Sequence, residues 1–281
     1  MRSTHQEPTP ADPTRRRQAE ILWCELAERF DVSRLRRLRA MLETWSGQRP
    51  AVCYAEQSAY GWGDRISPMF FMPDLPDDPW PDPSGFPVAA ALVDAFPDIR
   101  REAARLLDGS LKPPPYGLRS DAAGDAQPLS DAPAGWREWR LMQDGRRIES
   151  RCAPFPVTSG LLDRVQGDSE IAAHVAFLAM RPGTELERHV DWSNWWVALW
   201  LCLEAPADCA IEVAGTTREL RTGDCFSFCT GYFHRSWNHG AATRLVLSLF
   251  LLHPDLTAEE RRAIFYLRGR FEPEANFIPV I

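Results

Sequence analysis

Four residues carry chemistry in their spacing. His189 and Asp191 stand two apart in Arg188-His189-Val190-Asp191-Trp192, His234 follows 45 residues later, and Arg244 comes ten residues after that. In an extended strand, residues i and i+2 point to the same side. An imidazole and a carboxylate so placed can share one metal ion. A second imidazole from His234 would complete two histidines and one carboxylate on one face of the metal. That set leaves positions open and suits non-heme Fe(II) sites that activate oxygen. Arg244 lies in the otherwise apolar run Thr243-Arg244-Leu245-Val246-Leu247-Ser248-Leu249-Phe250-Leu251-Leu252. A charge there is costly unless paired. Its guanidinium suits a carboxylate held in a two-pronged fork, and the far carboxylate of 2-oxoglutarate is one that would fit.

The elements that must position these residues read as short strands. Trp136–Met142, Ala172–Met180, Trp195–Leu203, Ala210–Val213, Thr217–Leu220, Cys225–Phe228 and Thr243–Leu252 are rich in β-branched, aromatic and apolar residues. Turns at Asp144-Gly145, Pro182-Gly183, Ala214-Gly215 and Thr222-Gly223-Asp224 separate them. Many short strands at close spacing predict a sandwich or barrel. Upstream, apolar residues from Ala19 to about Trp45 recur at helical spacing, with Asp31 or Ser33 as an N-cap between two helices. Phe86 to Leu107 is helical again, broken at Pro97. Residues 46–86 and 110–135 read as irregular loop. Thr257 with Glu260 forms the capping box of a last helix.

Composition excludes other classes. The net charge is −7 and the sequence pI about 5.5, so a basic footprint for nucleic acid is absent. No apolar run is long enough to span a membrane. The cluster Arg15-Arg16-Arg17 has no apolar signal core behind it, and a cytoplasmic location is expected. Seven cysteines, an odd count without a CxxC pair, predict reduced and mostly buried thiols.

With these residues in place, the sequence resembles the aspartyl/asparaginyl β-hydroxylase family over about residues 50 to 265. The carrying motifs are Phe71-Met72-Pro73-Asp74-Leu75-Pro76, Pro79-Trp80, Phe96-Pro97-Asp98-Ile99-Arg100, Trp136, Asp144-Gly145 and Cys152 with Pro156 and Thr158. Pro182-Gly183-Thr184 before His189, Asn194, Leu203-Pro206-Cys209, Gly223-Asp224 and the ending Arg244-Leu245 to His253-Pro254-Asp255-Leu256-Thr257 continue the pattern. The resemblance implies a mainly β fold with flanking helices, a double-stranded β-helix of the cupin jelly-roll type. It implies Fe(II) on His189 and His234, 2-oxoglutarate and O2 as cosubstrates, and Arg244 as the 2-oxoglutarate arginine.

Three departures matter. An animal hydroxylase of the family has Gly where Asp191 stands, so a complete triad is available here; halogenases leave that position vacant for halide. Ala198 and Trp200 replace an Arg and a His near the cosubstrate, and Leu178 replaces a serine. No tetratricopeptide-like domain precedes the catalytic part, which favours a small molecule or a carrier-bound aminoacyl group over a folded protein.

The expected organisation is a disordered tail over 1–18, a helical segment over 19–46 and a jelly-roll oxygenase domain over 47–281. The expected activity is Fe(II)/2-oxoglutarate-dependent hydroxylation of an unactivated C–H bond in an amino-acid-like or natural-product small molecule. Alternatives are an Asp/Asn β-hydroxylase of peptides or proteins, a desaturase, epoxidase or cyclase on the same site, and a non-catalytic cupin. Trp192 and Trp195 add aromatic mass beside the metal, and Arg188 and Arg235 flank the two histidines. All four are candidate substrate contacts.

Overall fold

Two-residue alternation explains most of the architecture. Along Arg244–Leu252, Leu245, Leu247, Leu249 and Leu251 fall on one face, and Val246, Ser248 and Phe250 on the other. Almost every one of these residues is buried, so the strand must be covered on both faces. The computed structural model describes residues 13–50, 70–115, 119–120, 126–127, 134–166, 172–191, 193–268 and 270. Helices α1 (Pro13–Ala27), α2 (Arg36–Trp45), α3 (Pro87–Asp94) and α4 (Phe96–Leu107) come first. Strands β1 (Arg119–Ser120) and β2 (Ala126–Gln127) pair only with each other. Then follow β3 (Trp136–Gln143), β4 (Arg146–Arg147), α5 (Glu149–Cys152) and α6 (Pro156–Gln166). Eight strands build the centre: β5 (Ala172–Met180), β6 (Thr184–His189), β7 (Trp196–Glu204), β8 (Cys209–Val213), β9 (Thr216–Glu219), β10 (Cys225–Cys229), β11 (His234–Asn238) and β12 (Arg244–Leu252). Helix α7 (Ala258–Arg268) follows.

The eight strands divide between two antiparallel sheets. One has the order β10-β7-β12-β5, extended by β3 and β4; the other has the order β6-β11-β8-β9. This is the double-stranded β-helix expected from the sequence, mainly β with flanking helices. Three apolar clusters fill it. Val246, Leu178, Trp200 and Phe228 of the large sheet meet Leu186, Ile211 and Val213 of the small one, and form the core between the sheets. The other face of the large sheet, with Leu245, Leu247, Leu249 and Leu251, packs under α3, α4 and Phe155. A third cluster joins α1, α2 and α7 to Phe70, Met72 and Trp195.

Local signals account for several ends. Asp144 and Gly145 both adopt positive φ, 52° and 71°, in the β3–β4 hairpin, as a tight two-residue turn requires. Phe96 and Pro97 open α4 directly after α3 ends, so the proline does mark a helix boundary. Thr257 N–H donates to Glu260 Oε2 at 2.9 Å, and Glu260 N–H donates to Thr257 Oγ1 at 3.2 Å, closing the capping box. Helix α1 starts at Pro13, inside the stretch expected to be a disordered tail; the rest of that tail lies outside the described residues. Most of the loop expected over 110–135 lies outside them too, as do residues 51–69. Helix α6 was not anticipated: Pro156 at its start and Gly160 within it hide a pattern that burial of Thr158, Leu161 and Leu162 makes helical. No described helix is long and apolar enough to cross a membrane. The described cysteines are all free, and Cys152, Cys202, Cys209 and Cys229 are buried.

Residues 70–82 strap the mouth of the sheet pair. The Met72 N–H donates to Asn194 Oδ1 at 2.7 Å, and Asn194 Nδ2 donates to Met72 O at 2.8 Å. Cys229 N–H donates to Pro79 O at 3.1 Å, and the Ser227 hydroxyl donates to Pro81 O. Asn194 also explains Gly231, where a Cβ would lie 2.8 Å from Asn194 Cα.

Candidate functional site

A strand irregularity aims the first candidate ligand. Leu186 and His189 are three residues apart, which in a regular strand puts them on opposite faces. Yet Leu186 is in the inter-sheet core, and His189 pairs with His234, which is two residues from Leu186's partner Ser236. The extra residue in β6 is a bulge, a device that re-aims side chains next to sites. It turns His189 inward and brings the Glu187 carbonyl to 2.8 Å from His189 Nδ1. His234 opens β11 opposite Val213, and its Nδ1 lies 2.9 Å from Tyr232 O. A carbonyl can only accept, so both rings carry their proton on Nδ1 and leave the Nε2 lone pair free for a metal. Asp191 follows the strand; its N–H donates to Thr230 O at 2.9 Å, and its carboxylate engages the Thr230 side chain.

The ligand atoms offered by His189, Asp191 and His234 all lie within 4.8 Å of one another. The two imidazole centroids are 4.1 Å apart. Burial pushes the Asp191 carboxyl up, against His189 and Thr230, which pull it down. Burial also pushes His234 well below the ordinary histidine range, with His189 acting in the same direction. A neutral imidazole at His234 is the state in which it can bind a divalent cation.

Arg244 lies between the same two sheets and is completely buried, at 0% exposure. Nη1 donates to Ser236 Oγ at 3.2 Å across to the small sheet. Its Nε and Nη2, the two donors of the side-on fork, find no partner among the described residues. Burial pushes the guanidinium down to about 10, against the Cys209 and Cys202 thiols, so it stays charged at neutral pH. A line of aromatic contacts leads from Arg244 to the triad. Arg244 Cζ lies 5.2 Å from the Trp200 ring, Trp200 lies 5.1 Å from Phe228, and Phe228 lies 5.5 Å from His234.

The residues fit both groups that the resemblance implies. Two Nε2 atoms and a carboxylate on one side match a facial Fe(II) set, and an empty, buried guanidinium fork matches a carboxylate.

Other candidates fall elsewhere. Arg188 and Arg235 both pair with Glu212, Arg235 Nη2 at 2.8 Å. Arg235 and Glu212 are direct cross-strand partners on the face opposite His234 and Val213. Next-door residues in a strand point to opposite sides, so adjacency to a candidate ligand histidine turns these arginines away from the triad. Trp195 packs on Phe70, with ring centroids 6.1 Å apart, in the cluster under α1 and α2. Trp192 lies outside the described residues. Ser236 and Ser248 are buried on the strands that carry His234 and Arg244, Ser236 against Arg244, and their one sequence signal is a lone serine at even spacing from those residues.

The chain resembles known proteins at low identity. It is 28% identical over 131 residues to the aspartyl/asparaginyl beta-hydroxylase of Mus musculus, covering 46% of this chain and 18% of that protein. It is 24% identical over 202 residues to aspartate beta-hydroxylase domain-containing protein 2 of Xenopus tropicalis, covering 70% of this chain and 53% of that one. The chain thus spans less than a fifth of the first and about half of the second. The ornithine lipid ester-linked acyl 2-hydroxylase of Rhizobium tropici is 25% identical over 200 residues, covering 70% and 68% of the two chains. Among solved structures, a Pseudomonas putida prolyl-4-hydroxylase superposes with a TM-score of 0.39 at 17% identity, over 59% of this chain and 100% of that one. The profile of aspartyl/asparaginyl beta-hydroxylases matches residues 94–254, more than half of the chain, and the protein belongs to that family.

Proposed function

We propose that the protein is an Fe(II)/2-oxoglutarate-dependent dioxygenase that hydroxylates an unactivated C–H bond. One observation carries the reading: a fully buried arginine whose two-donor fork meets no carboxylate among the described residues, linked by aromatic contacts to the cluster of His189, Asp191 and His234. In the overall reaction, R–H, O2 and 2-oxoglutarate become R–OH, succinate and CO2, and Fe(II) supplies the redox chemistry that couples these changes. His189, Asp191 and His234 hold one face of the ion. The Glu187 and Tyr232 carbonyls fix which imidazole nitrogen is available. Arg244 grips the far carboxylate of 2-oxoglutarate and so orients its other end toward the triad. The rings of Trp200 and Phe228 help keep water out.

The substrate is an amino-acid-like or natural-product small molecule, free or carrier-bound. The name of the Rhizobium tropici relative, an acyl hydroxylase of a lipid, supports a non-protein substrate for this catalytic unit. The match to the mouse aspartyl/asparaginyl beta-hydroxylase favours a second reading, hydroxylation of Asp or Asn side chains in a peptide. A substrate-dependent succinate assay tests both. Free amino acids, carrier-bound aminoacyl groups, acyl lipids and Asp/Asn peptides are presented in turn with Fe(II), 2-oxoglutarate and O2. Stimulation by a small molecule supports the first reading, and stimulation by peptides alone replaces it with the second. Failure of the wild-type protein to bind 2-oxoglutarate, or undiminished turnover in His189→Ala, sinks both.

A further inference from the structure

The space between the sheets holds more unsatisfied donors than Arg244 alone. Among the described residues, the Ser248 hydroxyl and the Trp200 indole Nε1 have no hydrogen-bond partner, and their residues are 0% and 6% exposed. Buried polar groups are nearly always paired, so three orphaned groups in one place call for one explanation. The strand register puts them together. Ser248 on β12 is the direct cross-strand partner of Trp200 on β7. Arg244 and Ser248 share a face of β12, four residues apart, about 13 Å along the strand. The Arg244 guanidinium nevertheless lies 5.2 Å from the Trp200 ring centroid, so the two side chains together bridge part of that separation. Ser236, which takes the Nη1 hydrogen bond at 3.2 Å, leaves Nε and Nη2 for something else.

We propose that Trp200 and Ser248 complete the carboxylate cradle that Arg244 begins, with the indole N–H and the serine hydroxyl as further donors to the far carboxylate. The proposal rests on the 2-oxoglutarate reading above. It assigns the task to residues particular to this chain, where Ala198 and Leu178 offer no polar group. The indole has a second part: its ring lies over the guanidinium and packs on Phe228, which in turn packs on His234. Trp200 and Ser248 are then specificity-determining residues that distinguish a 2-oxo diacid from a 2-oxo monoacid.

The test is direct binding, without turnover, to the Fe(II)-loaded protein under anaerobic conditions. Calorimetric titrations compare 2-oxoglutarate with 2-oxopentanoate, which keeps the 2-oxo acid end and lacks the far carboxylate. Trp200→Phe keeps a ring and removes the N–H; Ser248→Ala removes only the hydroxyl. Each substitution is expected to weaken 2-oxoglutarate roughly tenfold or more, the loss typical of a hydrogen bond to a charged group, and to leave 2-oxopentanoate unchanged. Unaltered 2-oxoglutarate affinity in both variants overturns the proposal. So does an equal loss for both ligands, which would mark a packing role. If the wild-type protein binds 2-oxopentanoate as tightly as 2-oxoglutarate, no cradle for the far carboxylate exists and the proposal falls while a metal-chelated oxo acid survives. If wild type binds neither, the cosubstrate reading itself fails.

Discussion

Arg37 and Arg244 are both withdrawn from solvent and both present Nε and Nη2 as a fork. In Arg37 the fork is filled: Nε donates to Glu260 Oε1 at 2.7 Å and Nη2 to Glu260 Oε2. Arg140 does the same with Glu138, at 3.1 and 2.6 Å, and Arg235 turns both atoms to Glu212. Arg244 is the more deeply buried, and its fork meets no carboxylate among the described residues. Arg37 joins α2 to α7 and Arg235 joins β11 to β8, whereas Arg140 braces β3, the strand that also carries Glu138. A buried guanidinium whose fork has no partner among the described residues costs stability where a filled fork contributes it.

The comparison can be broken at its strongest point first. His234→Ala should lower Fe(II) affinity by more than the roughly 10–100-fold typical of losing a partner behind a ligand, and take turnover with it; metal titration reads the first and succinate release the second. Retained stoichiometric Fe(II) binding in the variant would remove the triad from the account. Arg244→Met should act in two opposite directions. Two charge-assisted hydrogen bonds at about 1.5–3 kcal/mol each predict a loss of 2-oxoglutarate affinity of more than about 100-fold. The same change replaces an unpaired buried charge by an apolar chain, so the ligand-free protein should melt at an equal or higher temperature. A marked fall in that melting temperature would mean that Arg244 is structural, like Arg37.

The filled forks should answer differently. Arg37→Met leaves Glu260, which is 3% exposed at its side chain, without its main partner, and should cost on the order of 3 kcal/mol in a denaturant titration while Fe(II) and 2-oxoglutarate still bind. The Glu138 carboxyl gives a pH signature. Burial opposes its charge, but His174 and Arg140 prevail and hold it at about 2, from an ordinary 4.5. A depressed folded-state pKa stabilises fully above the unfolded value, and that contribution is lost as pH falls from about 4.5 toward 2. Glu138→Gln should therefore flatten the acid limb of the stability curve in that window; an unchanged limb would show that other carboxylates govern it. The smallest effect is expected at Glu212→Gln, which loosens a half-exposed pair of arginines on the outer sheet face. Roughly 1 kcal/mol or less of stability should be lost, with unchanged 2-oxoglutarate affinity. Abolished turnover in Arg235→Ala with intact metal and cosubstrate binding would restore Arg235 as a substrate contact.

Much of this molecule is written in local pattern. Short strand-like runs and Gly turns mark β3, β5, β7, β10 and β12 of the large sheet and β8 and β9 of the small one, and a strand buried on both faces reads as a nearly continuous apolar run. Strands β6 and β11, which carry His189 and His234, are more polar and do not stand out that way. Thr257 and Glu260 announced α7 because a capping box is satisfied within four residues. The spacing of His189, Asp191, His234 and Arg244 is visible in the sequence, and the fold brings the first three together; the pairing of β6 with β11 that does so is not visible there. Tertiary structure alone decided which way the neighbours face. The bulge in β6 sends His189 inward while Arg188 and Arg235 meet Glu212. Helix packing takes Trp195 to Phe70, and the β12–β7 register sets Ser248 against Trp200. Each of these depends on residues tens of positions apart, and a strand shows the same residues in sequence whichever face they take. Whether an arginine's fork is filled is a question of long-range geometry, and it separates Arg244 from Arg37.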